Sequence, residues 1–230
     1  MEEEKFMPEF NGNLRKHMLT VPDVIRKCSG IRIFGKRIKS IVFSTDVSII
    51  RNVNADAVIA VYPFTPQPII TQALLLAADI PVFCGVGGGT TTGPRVVGLA
   101  QDAEHQGAIG VVLNAPTQNV IIRRISRVVD IPVVITVVSD RDDIDGRIRA
   151  GASILNVSAA AQTPRLVGLI RKKYPQQAIM ATGGPTDESI LETIEAGANA
   201  ITWTPPSNGE LFRDLMVAYR TRQPMKPEQK

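Results

Sequence analysis

The chain is predicted to fold as an α/β protein, a (β/α)8 TIM barrel with an N-terminal helix and hairpin extension, and three observations lead there. Strand-length apolar runs alternate with helical segments through most of the sequence. Two of these runs end in glycine, Ile80-Pro81-Val82-Phe83-Cys84-Gly85-Val86-Gly87-Gly88-Gly89 and Ala178-Ile179-Met180-Ala181-Thr182-Gly183-Gly184. Each leads into a helical segment, a Gly-Ala pair and another strand that ends in proline and a hydroxyl residue. Nine positions separate Gly107 from Pro116, and nine separate Gly197 from Pro206. Third, 230 residues match the roughly 200–250 that such a barrel needs. An open doubly wound sheet is the alternative architecture.

The eight expected strands are 40–45, 57–64, 81–86, 109–115, 132–138, 153–158, 178–182 and 200–204. They are apolar on both faces, as strands must be when helices cover one side and a packed interior the other. Gly-Ala at 107, 151 and 197 ends a helix and lets the chain turn into the next strand. Three helix starts stand out. Thr163-Pro164 places a hydroxyl before a proline, Ser207-Asn208-Gly209-Glu210 is a capping box, and Ser139-Asp140 is a further entry. Residues 1–39 form an extension packed on the barrel at 40–220, and 221–230 a flexible tail. In the extension, Thr20 is expected to cap a helix beginning at Pro22-Asp23. Ile31 to Ile38 reads as a hairpin plugging the barrel's amino-terminal end.

Composition excludes several classes. No apolar run approaches the length of a membrane span, the acidic start Met1-Glu2-Glu3-Glu4-Lys5 lacks a signal-peptide pattern, and Cys28 and Cys84 are too few for a disulfide framework. A cytoplasmic location is expected. The net charge of +4 is spread along helices, as at Arg123, Arg124, Arg127 and Arg171, Lys172, Lys173, so no nucleic-acid partner is expected. A homo-oligomer stays open.

Chemistry in this fold sits at the carboxyl ends of the strands. Gly183-Gly184 and Ser207-Asn208-Gly209 would set two helix N-termini side by side as a phosphate cradle, although the glycines could simply permit tight turns. Gly87-Gly88-Gly89-Thr90-Thr91-Thr92-Gly93 lacks the lysine of a nucleotide-binding P-loop. It could wrap a second phosphate, act as a lid or move freely, and Arg95 follows as an anion contact. Asp46 and Asp140 are the acids immediately beyond strand ends and the candidates for proton transfer, with helix capping as the competing role for both. Asn114 and Asn156 are expected to point into the mouth and orient a substrate. His17 and His105 lie away from strand ends, no lysine falls in strands two to eight, and Cys84 reads as a core thiol. Neither a metal site nor a cofactor is expected.

From Ile80 to Tyr219 the chain resembles the ribulose-phosphate-binding barrel superfamily. The resemblance rests on Gly87-Gly88-Gly89, Thr182-Gly183-Gly184 and Glu195-Ala196-Gly197-Ala198-Asn199-Ala200. It implies phosphate loops after strands three and seven. Trp203-Thr204-Pro205-Pro206-Ser207 departs from the glycine loop usual after strand eight, and the acid/base residues of those enzymes have no secure match. Over its whole length, from Phe6-Met7-Pro8-Glu9-Phe10 to Pro205-Pro206-Ser207-Asn208-Gly209, the chain is similar to an uncharacterised bacterial barrel family often labelled generically "hydrolase". The expectation is a phosphate-binding barrel, an isomerase- or lyase-type enzyme acting on a phosphorylated small metabolite. The alternatives are a hydrolase and a non-catalytic sensing barrel resembling glycerol-uptake antiterminator regulators.

Overall fold

The computed structural model describes residues 6–8, 10, 12 and 18–221; His17 and the tail from 222 onward lie outside them. A short antiparallel hairpin, β1 (Ile31–Ile33) and β2 (Lys36–Ile38), precedes the barrel. The barrel strands are β3 (Ser40–Phe43), β4 (Ala57–Ala60), β5 (Val82–Gly87), β6 (Gly110–Leu113), β7 (Val133–Val137), β8 (Ile154–Val157), β9 (Ala178–Thr182) and β10 (Ala200–Trp203). They run parallel, and β10 pairs with β3 to close the ring. Helices α1 (Val47–Ile50), α2 (Pro68–Ala77), α3 (Pro94–His105), α4 (Asn119–Ile125), α5 (Ile144–Arg149), α6 (Thr163–Lys173), α7 (Asp187–Glu195) and α8 (Asn208–Thr221) follow the strands in turn. The (β/α)8 barrel is therefore the fold, and every expected strand is present, most with shorter ends, while β9 keeps its expected bounds and β5 runs on to Gly87.

Alternation along each strand sorts the apolar residues into two layers. Val58, Val82, Val111, Ile135, Leu155, Ile179 and Ile201 pack outward beneath the helices. Ile41, Ile59, Phe83, Val112, Val134, Ile154, Met180 and Ala200 fill the interior, together with Ile31, Ile33 and Ile38 from the hairpin. The hairpin thus plugs the amino-terminal end. Its turn residues Phe34 and Gly35 both have positive φ, 46° and 82°, the twist that suits a two-residue hairpin loop. Phe83 is the largest interior side chain, and its ring lies against Gly110, where an added Cβ would come within 2.6 Å of it.

The helices are held by their apolar faces. In α6, Leu166, Val167 and Ile170 are buried, each contributing about 1.5–3 kcal/mol of transfer free energy. α1 is a single turn, and α8 has no buried residue along its fourteen. Arg171 fastens the lower rim by donating to the carbonyls of Gly197, Pro175 and Gln177 and to Asn199 Oδ1.

Three expected caps are corrected. Thr20 caps nothing: the first turn is a 3-10 helix, Asp23–Lys27, and the position before it is Pro22, whose ring has no acceptor to serve as a side-chain cap. Thr163 is the first residue of α6 rather than its cap, and its Oγ accepts from the Ala159 N–H at 3.0 Å. The entry expected at Ser139-Asp140 lies further on, where Asp143 accepts from Gly146 N–H at 2.9 Å. The Ser207–Glu210 box forms as read, with Ser207 N–H donating to the Glu210 carboxylate at 2.7 Å and Glu210 N–H to Ser207 Oγ at 3.3 Å.

Candidate functional site

At the carboxyl end the inward positions divide by chemistry. Register pairs Phe43 with Ile59 on one side, and Thr136 with Asn156 and Thr182 with Thr202 on the other. Asn156 Nδ2 donates to Thr136 Oγ at 3.3 Å, and Thr182 Oγ to Ser158 Oγ at 3.2 Å. Asn156 is 9 % exposed and Thr202 5 %, yet Asn156 Oδ1 and Thr202 Oγ have no hydrogen-bond partner. Buried polar atoms are ordinarily paired, so these two are groups a ligand or ordered water would satisfy. Across the mouth, the β4 to β6 side is lined by Val61, Gly85 and Val112.

A cavity of about 180 Å³ opens there, between the segment from Val61 to Pro66 and the loop that follows β5. Asn114 and Gly89 both line it, and Gly88 packs against Asn114 just beside it. Asn114 N–H donates to Gly87 O at 3.0 Å, and the Asn114 carbonyl accepts from both the N–H and the hydroxyl of Thr117. Gly88, at φ 98°, folds so tightly over this turn that a Cβ would lie 1.9 Å from Thr117 Oγ. Gly89 has ordinary φ and only Asn114 Nδ2 near its Cβ position, at 3.4 Å. Thr91, which also lines the cavity, is 6 % exposed with an unpartnered hydroxyl. The loop ends at α3, whose cap residue Gly93 offers no side chain and whose first turn holds Arg95 and no acid. Pro94 has no N–H and the Val96 N–H donates to Gly93 O at 3.1 Å, so the Arg95 N–H is the leading donor of α3 left for an external acceptor.

The helix ends after β9 and β10 differ. Thr186 and Ser189 cap α7 reciprocally, and Asp187 and Glu188 occupy its first turn. The α7 end holds Glu188 below its usual carboxylate range through backbone and Thr186 hydrogen bonds, and Ser207 does the same for Glu210 at α8. The cradle expected at Gly183, Gly184, Ser207, Asn208 and Gly209 is thus a pair of helix ends already furnished with the chain's own caps and carboxylates. An incoming anion there would face like charge.

Asp46 caps α1, accepting from Ser48 N–H, Ser48 Oγ and Ile49 N–H, and Asn208 Nδ2 donates to its other oxygen. The Ser48 hydroxyl first, then the backbone and Asn208 bonds, hold its carboxyl below the usual range. Asp140 lies at the surface, 3.3 Å from both terminal nitrogens of Arg165. Burial pushes the Cys84 thiol up to about 12 and Cys28 to about 11, as inert core thiols. Thr91 was read only as part of the glycine loop: a lone threonine carries no motif, and only the fold shows that its hydroxyl is stranded. Among the described residues, no three His, Cys, Asp or Glu side chains gather to hold a metal ion, and no helix is long and apolar enough to cross a membrane.

No family model and no curated protein matches the chain. Solved structures do. The phosphoenolpyruvate phosphomutase of Streptomyces platensis subsp. rosaceus aligns at a TM-score of 0.59 and 13 % identity, covering 80 % of this chain and 83 % of that one. A phosphonopyruvate hydrolase in complex with oxalate and Mg++ aligns at 0.60 and 11 %, covering 83 % and 85 %. A 2,3-dimethylmalate lyase, described as a PEP mutase/isocitrate lyase superfamily member, aligns at 0.62 and 11 %, covering 94 % and 89 %. These similarities establish the barrel. At these identities they show the fold alone and assign the chain neither to that superfamily nor to the ribulose-phosphate-binding barrels. Residue roles do not transfer at such identities.

Proposed function

We propose that this barrel binds a small phosphorylated metabolite in its mouth and acts on it as an isomerase- or lyase-type enzyme. The anionic group is held by Gly88 to Thr92 and the start of α3. The observation that carries the placement is Thr91: a buried hydroxyl without a partner, in the cavity wall, beside a twelve-residue helix with no side-chain cap and a cation in its first turn. Asn114 orients the ligand from the cavity lining, while Asn156 and Thr202 complete their hydrogen bonding on its hydroxyl or carbonyl groups. The similar structures support the class, since they are a mutase, a lyase and a hydrolase.

Proton transfer is assigned to Asp46. Its lowered pKa keeps it ionised at neutral pH, as a base must be, at the expense of basicity. Asp140, engaged with Arg165 at the surface, is the second candidate. The Gly183–Gly184 and Ser207–Gly209 cradle is the alternative anion site, one requiring Glu188 and Glu210 to yield.

One observation favours a second reading, a sensing barrel without catalysis. The inward residues Thr136, Asn156, Thr182 and Thr202 are neutral, so the mouth itself offers hydrogen bonds and no acid or base. Turnover assays with a panel of sugar phosphates, phosphonates and short carboxylic acids separate the readings. Conversion of any member that also binds supports the enzyme. Saturable binding without conversion supports the sensor, and absence of binding across the panel removes both.

A further inference from the structure

We infer, resting on the anion site proposed above, that the ligand carries a compact apolar group beside its anionic head, seated against the β4 and β6 side of the mouth. The cavity next to the β5–α3 loop is walled by Val61, Pro63, Phe64 and Val112, while Gly89 and Thr91 lie at its loop side. The inward strand positions that carry hydroxyls and amides lie on the opposite arc, on β7 to β10, and in this cavity such groups come from Tyr62, Thr90, Thr91 and Asn114 rather than from the wall itself. A polyol chain seated along that wall would set hydroxyls against Val61, Pro63, Phe64 and Val112, with side-chain partners in the lining only at Tyr62, Thr90, Thr91 and Asn114. An apolar group would instead exchange water for hydrocarbon contact.

Size sets the second limit. A cavity of about 180 Å³ exceeds what a phosphate alone fills. An apolar cavity of roughly 150 Å³ accommodates benzene, so the group is of aromatic-ring or branched five-carbon size rather than a long chain. Phe64, 73 % exposed at the cavity edge, is placed to fold over such a group.

The test is calorimetric titration of the full chain with inorganic phosphate, glycerol 3-phosphate and phenyl phosphate. Phenyl phosphate should bind about tenfold or more tighter than glycerol 3-phosphate, with a negative heat-capacity change. Val61→Asn should abolish that preference while leaving inorganic phosphate binding unchanged. Should Val61→Asn fail to fold, Phe64→Ser, at an exposed position, should weaken phenyl phosphate severalfold and spare the other two. Equal affinity for glycerol 3-phosphate and phenyl phosphate overturns this inference and leaves the anion site standing. Binding of none of the three overturns the anion site and this inference with it.

Discussion

Asn208 donates its side-chain amide to the Asp46 carboxylate and, at 2.8 Å, to Ser48 Oγ, tying the loop after β3 to the first turn of α8. β3 and β10 are the strands whose pairing closes the barrel, so this contact fastens the seam at its open end. α8 has no buried residue, whereas the single-turn α1 is seated by the buried Ile49 and Ile50, so the Asp46–Asn208 contact ties the loosely packed α8 to an anchored turn.

Asp46→Asn separates capping from catalysis. Asparagine remains a good N-cap, so stability at pH 7 should change by no more than about 1 kcal/mol. The folded-state pKa lies below the ordinary 3.8, so ionised Asp46 contributes stability above that value, lost as pH falls through the folded pKa. The variant should therefore show a flatter decline in melting temperature below about pH 4 than the native chain. If Asp46 moves a proton, turnover falls about 10²–10⁴-fold. Undiminished turnover confines it to the cap.

How far the sequence could be read depended on what each signal encoded. The apolar runs set all eight barrel strands, because burial on both faces leaves an unmistakable composition, and the Ile31, Ile33, Ile38 pattern placed the plug. Helix starts were less legible, since Thr20, Thr163 and Asp140 have capping chemistry but the backbone turns elsewhere. The glycines after β5 and β9 looked alike in sequence. Only packing separates them: one loop leads to an uncapped helix and the other to a helix carrying its own acids.

Charge placed in each glycine loop should therefore have unequal effects. Gly89→Glu is accommodated by ordinary backbone and an open Cβ position, yet it puts a carboxylate beside the anion site. It should reduce affinity for a phosphate ester at least about tenfold with little change in melting temperature. Gly184→Glu, at φ 84° and against Ser189, should lower the melting temperature and leave affinity in the folded fraction within about twofold. The reverse ranking in titrations would move the anion to the β9 and β10 loops.

Interior packing makes a separate claim. Gly110→Ala forces a methyl against the buried Phe83 ring and should cost about 1–3 kcal/mol in denaturant unfolding. Pairing it with Phe83→Leu should recover part of that loss, since the two changes share one space. Strictly additive losses would show that the ring and the glycine are not in contact.

Asn156→Leu tests whether the stranded amide oxygen serves a ligand. The change removes an unpaired buried acceptor along with one long hydrogen bond to Thr136. Folding stability should stay within about 1 kcal/mol of native or rise. Ligand affinity should fall about tenfold. Loss of stability without loss of affinity would make Asn156 a structural residue.

The most direct measurement is a backbone amide spectrum of the isotope-labelled chain, titrated with a phosphate ester that the panel shows to bind. Placement of the anion on the β5–α3 loop requires the largest saturable shifts at Gly88, Gly89, Thr90, Thr91, Thr92 and Arg95, with Asn114 following. Shifts concentrated instead at Gly184, Ser207, Asn208 and Gly209, with the β5–α3 loop unmoved, would contradict the account.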